Sequence, residues 1–408
     1  MSYRYARWGM LMLFWICWGP LAAQQDTSWI SKTAMPEGRH HPVTWNLGDT
    51  GYVVTGTNTR GQFTNDFYSY DPGRDRWQVR SSFPGAARSF AIGEEYGGKG
   101  YMGFGASNFG YFNDLWEYDP AADAWTQLPP CPCSGRRHPA LIIQKGRLFV
   151  GMGDNATGNL NDWWEYDIQQ QTWTQRDDFP GARRHHPYQF KAGEHVYAGL
   201  GHGNRNPIIY KDWYQYNLDS NKWFKMNDFP GEARVAGTQF DRGGKGYVLS
   251  GDGDNHSFMQ RGEFWEYDPF NDTWTELPPH PGISKWAPGS FLLRDTLYFL
   301  AGQNRRQNVN TDENWAYTFS TPVGFSAPVA QAETGGLYPN PARDQLYIRG
   351  ISGQAEVTVY DLQGRRMLEE VLRERASLDI SRLPAGMYLV EWRNAQASIQ
   401  RQRMLVRD

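Results

Sequence analysis

The sequence predicts an all-β protein, a closed six-bladed β-propeller followed by a small β-sandwich, and three observations predict it. The 408 residues include 18 Trp, 23 Tyr, 44 Gly and 24 Pro, with only 21% charged. Aromatic residues mixed with Gly and Pro favour short strands joined by tight turns over helices. One motif recurs six times at a spacing near fifty residues, and a fixed period of that size marks a chain of stacked supersecondary units. The first and last units are each incomplete, and each carries what the other lacks.

The motif copies run Asp66–Asp71, Asp114–Asp119, Asp162–Asp167, Asp212–Asn217, Glu263–Asp268 and Glu313–Tyr317. Their second Tyr stands at 70, 118, 166, 216, 267 and 317, in steps of 48, 48, 50, 51 and 50. A Trp follows the first five by seven residues, as Trp77, Trp125, Trp173, Trp223 and Trp274. Tyr317 has none, while Trp29 lies one period before Trp77 with no Tyr motif ahead of it. The segment around Trp29 is therefore expected to supply the outer strand of the last blade, which would close the ring and remove its exposed sheet edges.

Each period holds a strand ending in glycines, such as Gly246–Leu249, then a variable loop, the Tyr strand, a turn such as Asp71–Arg74, and the Trp strand. Pro and Gly suit those turns, one presetting φ and the other accepting positive φ. Phe83, Phe179 and Phe229, each followed by Pro-Gly, lead into the next unit. This pattern, over about residues 27–320, resembles the kelch repeat. The double glycine of that family appears here mostly as Gly-x-Gly, as at Gly201–Gly203, a departure that leaves the expected fold intact.

Both ends carry export features. Arg4 and Arg7, the apolar run Met10–Trp18 and a small-residue stretch ending at Ala23 have the layout of a cleaved signal peptide, residues 1–23. The run is short for a membrane span, and no transmembrane segment is expected after cleavage. Residues 24–320 form the expected propeller, and the Pro- and Ala-containing segment 321–335 reads as a linker. Within 336–408, the phrases Leu337–Ala342, Val357–Arg365 and Leu383–Val390, ending in Arg403–Val406, resemble the type A C-terminal sorting domain of type IX secretion. That resemblance implies the secretion machinery as partner and a secreted or outer-membrane-surface location.

The formal net charge of -3 gives no basis for a nucleic-acid partner. Past residue 23 the only cysteines are Cys131 and Cys133, so the chain is no disulfide scaffold. The pair suits a local bridge, and a zinc site there would need His ligands from other blades. No cofactor or metal is expected.

Propeller ligands usually sit at the channel mouth or on the loops of one face. Eleven residues after each repeat Trp comes a basic residue, Arg88, Arg136, Arg184, Arg234 and Lys285, with Arg39 one residue early. These six, with His41, His138, His185 and Trp286 beside them, form a candidate ligand-binding ring at the mouth, suited to carboxylates or sulfates. An acidic residue also recurs once per unit, as Asp66, Asp114, Asp162, Asp212, Glu263 and Glu313, and the resemblance makes the Arg at the basic position part of the repeat itself. The competing reading is thus a ring of ion pairs within the blades. Phe109, Tyr111, Phe112, Tyr210, Phe258 and Trp286 are the aromatic candidates in variable loops. Asp252 with Asp254 and Asn255, or Asp154 with Asn155, offer oxygen ligands without calcium-loop spacing.

The expected function is a non-catalytic binding module for a glycan or protein at the loop face. The alternative is a mutarotase or epimerase of an acidic sugar such as sialic acid, which would need a channel-facing acid/base carboxylate. A galactose-oxidase-like enzyme would need a Cys placed to crosslink a Tyr and paired His ligands, a constellation not found around Cys131 or Cys133.

Overall fold

The computed structural model describes residues 29–203, 208–253, 256–319, 337–338, 342–348, 354–361, 365–373, 377–394 and 399–406. The expected signal peptide (1–23) and linker (321–335) lie outside the described residues, as do Asp254 and Asn255. There is no α-helix among the described residues.

Residues 29–319 form six four-stranded antiparallel sheets. The inner strands are Val43–Leu47, Ile92–Tyr96, Ala140–Gln144, Tyr188–Ala192, Thr238–Arg242 and Gly289–Leu293, defining blades 1 to 6. Each inner strand lies beside those of both neighbours, and the ring closes where blade 6 meets blade 1. The Tyr motif forms the third strand of every blade, as at Phe67–Asp71, and the Trp strand is the outer one, as at Arg76–Val79.

Blade 6 takes its outer strand from the N-terminal side of the chain. Ile30–Ser31 pairs antiparallel with Asn314–Thr318, with Ile30 opposite Ala316 and Ser31 opposite Trp315. Trp29 then meets Tyr317 at 5.1 Å between ring centroids, as Trp77 meets Tyr70 at 4.9 Å and Trp125 meets Tyr118 at 5.1 Å. The orphan Trp and the Trp-less Tyr are one pair.

Packing between blades explains the aromatic content. Trp45, Tyr52 and Phe67 of blade 1 share a buried cluster with Met102 and Tyr118 of blade 2, and Phe149 and Trp163 of blade 3 share one with Val196 and Tyr216 of blade 4. A blade cannot bury this surface alone, so the ring is the folding unit. One glycine shows how close the blades come: a Cβ on Gly246 would lie 1.9 Å from the Phe190 ring of the preceding blade. Cys131 and Cys133 are joined as a disulfide and buried in the cluster between blades 2 and 3.

The C-terminal residues form a three-stranded and a four-stranded sheet over one cluster that includes Leu346, Val357, Leu378, Val390, Trp392 and Met404. This is the small sandwich expected from its alternating strands.

Candidate functional site

The six basic residues are engaged within their own blades. Arg39, Arg88, Arg136, Arg184, Arg234 and Lys285 are all buried, and each is paired with the acidic residue that opens the third strand of its own blade. Arg136 holds Asp162 with two bonds of 2.6 and 2.8 Å. Arg39 holds Asp66 at 2.7 and 2.7 Å, Arg88 holds Asp114 at 2.6 and 2.8 Å, and Arg184 holds Asp212 at 2.5 and 2.8 Å. Arg234 pairs with Glu263, and Lys285 with Glu313 at 3.1 Å. Burial would raise the carboxyls of Asp66 and Asp162, but the arginine hydrogen bonds and charges outweigh it and hold both below the ordinary range. These heads are buried and engaged inside their blades, Arg234 Nη1 alone lacking a partner, and the candidate site is sought elsewhere.

It lies two residues further on. His41, Phe90, His138, His186, Ala236 and Ala287 occupy the same place in successive blades, all at positive φ between 48° and 64°. Their backbones link around the axis: His41 N–H donates to the Ala287 carbonyl at 2.8 Å and His138 to Phe90 at 3.0 Å. His186 donates likewise to His138 at 3.1 Å and Ala287 to Ala236 at 2.7 Å. The left-handed turn aims these six side chains at the channel, where they line a cavity of about 150 Å³ with Thr44, Gln189, Thr238 and Ser290.

Three imidazoles meet there. His41 Nε2 lies 2.9 Å from His186 Nε2, and the His138 and His186 rings are 3.5 Å apart between centroids. Burial first, and then neighbouring histidines, with Arg137 adding to the effect on His41 and His138, press all three well below the usual histidine value, so they are neutral. His138 Nδ1 donates to Asp154 Oδ1 at 3.1 Å, and Arg137 Nε holds the other carboxylate oxygen at 2.9 Å. That bond fixes the His138 tautomer and leaves Nε2 with a free lone pair.

One residue earlier in each turn stands a second tier, including His40, Arg137, His185 and Trp286. Short bridges tie it to a third tier from the turns after the glycine-ended strands: His185 to His202, Val235 to Asp252 and Trp286 to Gln303. Burial and the charge of Arg305 take His40 down to about 4. His185 also falls to about 4, chiefly through burial, and its Nδ1 contacts Asn159 Oδ1 at 2.9 Å. Arg305 lies 5.0 Å over the Trp286 ring and 3.4 Å from Asp252 Oδ2. Asp252 is fully buried, and burial pushes its carboxyl up to about 7 against the pull of Arg305.

Of the residues singled out from the sequence, His41 and His138 reach the channel, while His185 and Trp286 stand one tier outward. The register of the turn was missed, and with it His186 and Phe90. Phe112 and Tyr210 stack on the buried Arg88 and Arg184, at 3.9 and 4.3 Å, so their faces are occupied. Phe109 and Tyr111 remain exposed on the blade 2 loop. Asp154 is engaged by His138 and Arg137.

Residues 51–304 match the Attractin/LZTR1 β-propeller family model, and residues 336–407 match the secretion system C-terminal sorting domain. No curated protein matches the chain. Among 496 matching solved chains, the structure of YjhT is 14% identical at a TM-score of 0.60, covering 71% of this chain and 98% of its own. At that identity the likeness carries the fold alone.

Proposed function

Because the chain belongs to the Attractin/LZTR1 β-propeller family and ends in a sorting domain that directs export to the cell surface or extracellular space, we propose that it is an extracellular binding propeller whose loop-face mouth takes a glycan. One observation carries this reading: the mouth tiers combine neutral imidazoles (His40, His185) with Trp286, whose ring packs beneath Arg305 and beside His40. A neutral imidazole offers one donor and one acceptor, which suits sugar hydroxyls. An indole face suits the apolar side of a sugar ring, which would reach Trp286 by displacing Arg305. The sorting domain engages the secretion machinery.

The test is a glycan array probed with the purified propeller and with Trp286→Ala. Selective retention that the variant loses by tenfold or more supports the reading. Retention of no glycan by the folded wild type overturns it in favour of a protein ligand.

A second reading, a mutarotase or epimerase of an acidic sugar, is favoured by Asp252. A carboxyl held near 7 is suited to accept and return a proton at neutral pH. Arg305 beside it could anchor a substrate carboxylate. An NMR anomerisation assay with sialic acid decides it: accelerated exchange lost in Asp252→Asn supports catalysis, and a rate equal to buffer ends that reading.

A further inference from the structure

We propose that His41, His138 and His186 form a binding site for one divalent transition-metal ion, zinc in the first instance. The three side chains come from blades 1, 3 and 4, and their candidate ligand nitrogens all lie within 4.8 Å of one another. Three nitrogens bound to one zinc at ~2.1 Å in tetrahedral geometry would be ~3.4 Å apart, a spacing that small ring rotations reach from here.

The hydrogen-bond pattern supports a ligand role. A metal ligand must be a neutral imidazole with a bare nitrogen. His138 Nε2 and His186 Nδ1 are both buried without a hydrogen-bond partner, a condition that ordinarily costs stability, whereas His41 Nδ1 contacts His40 Nδ1 at 2.6 Å and its Nε2 contacts His186 Nε2, a contact that the ion would replace. His138 also has the outer partner that a metal-bound histidine usually has, a carboxylate on its far nitrogen, supplied by Asp154. Packing alone would not require that carboxylate, itself held by Arg137.

The ring makes room for the ion. At the same position blades 5 and 6 carry Ala236 and Ala287, so three imidazoles cluster where six large side chains would not fit. Three protein ligands leave a fourth position open, the pattern of sites with an exchangeable ligand. That position adjoins the cavity lined by Thr44, Gln189, Thr238 and Ser290. The site is independent of whether the mouth binds a glycan.

The experiment uses untagged full-length protein, stripped with chelator and titrated with Zn2+, with Cu2+, Ni2+ and Mg2+ as comparisons. The expected result is one equivalent of zinc retained per chain, no retention of Mg2+, and a tetrahedral visible spectrum on Co2+ substitution. His138→Ala and His186→Ala should each weaken binding at least 100-fold, and Asp154→Asn, which only orients His138, by 10–100-fold. The Ala variants should fold, because Ala236 and Ala287 already occupy this turn. His41→Phe is the second line, since Phe90 does so too. Failure of the wild type to retain zinc, or retention undiminished in the double variant His138→Ala/His186→Ala, overturns the proposal.

Discussion

Replacing Arg184 by Met separates a strut from a ligand-binding residue. The Arg184 guanidinium gives two bonds to Asp212, a third of 2.8 Å to the Leu200 carbonyl and a fourth of 2.9 Å from Nε to the Ala182 carbonyl. Phe179 and Tyr210 cover its faces at 4.6 and 4.3 Å. Met keeps the stem and part of the volume but leaves Asp212 uncompensated and the Leu200 carbonyl without its donor. Breaking a buried pair by removing one partner costs about 3–5 kcal/mol. The Asp212 side chain is 21% exposed and regains some hydration, which places the loss near the lower end, about 3 kcal/mol.

The assay is scanning calorimetry of the purified protein. At ~2.1 cal/mol/K per residue, a propeller of about 290 residues unfolds with ~0.6 kcal/mol/K, so the midpoint should fall by about 5 °C. The deficit should persist in 0.5 M salt, because a buried pair is little screened. The double variant Arg184→Met/Asp212→Leu should recover part of it, since the stranded charge is gone. An unchanged midpoint together with lost binding of an anionic ligand would refute this reasoning and restore the basic ring as the site.

Three further outcomes follow from the same structure. Trp29→Ala removes the aromatic half of the closing pair with Tyr317 and should cost about 2–3 kcal/mol for a partly buried Trp, raising proteolysis near blade 6; resistance equal to wild type would count against closure there. Gly246→Ala drives a methyl against Phe190 at a cost of about 1–3 kcal/mol, and Phe190→Leu should recover part of it in the double variant, as read by urea unfolding. His280 is buried, with Nε2 3.0 Å from Ser250 Oγ and Nδ1 2.9 Å from the Pro281 carbonyl, and burial takes it from 6.5 to about 4. Between those values the unfolded chain binds the proton better, so stability falls as pH drops from 6.5 towards 4, and His280 alone contributes about 2 kcal/mol of that fall at pH 5, alongside the other lowered histidines such as His40 and His185; His280→Gln should reduce the fall by about that amount, and a fall unchanged in the variant would refute the assignment.

The propeller was legible because its determinants repeat. Every blade needs a Tyr–Trp contact and a tight turn, so Tyr70, Trp77 and their equivalents recur in register and can be counted. Closure was legible for the same reason: Trp29 and Tyr317 are the two defects in an otherwise complete count. Gly246 was visible only as part of a strand, because nothing local in the sequence shows that Phe190 of another blade presses on it.

The site was less legible, and the cause is the same periodicity. A residue that every blade carries is most readily explained by what every blade must do, and Arg136 meets that requirement by tying the lead-in turn to Asp162 and the Met152 carbonyl. A ring of such residues, each neutralised by its own carboxylate, projects little net field. Discrimination must come from positions where the blades differ, and the turn two residues later is one: His41, Phe90, His138, His186, Ala236 and Ala287 share a backbone and little else. Their positive φ reverses the outward course of the chain, so His186 faces the axis while His185 faces the mouth. Alternation at one-residue resolution cannot be read from a fifty-residue period. It needs the turn itself, and in this molecule the turn converts three unrelated histidines into neighbours.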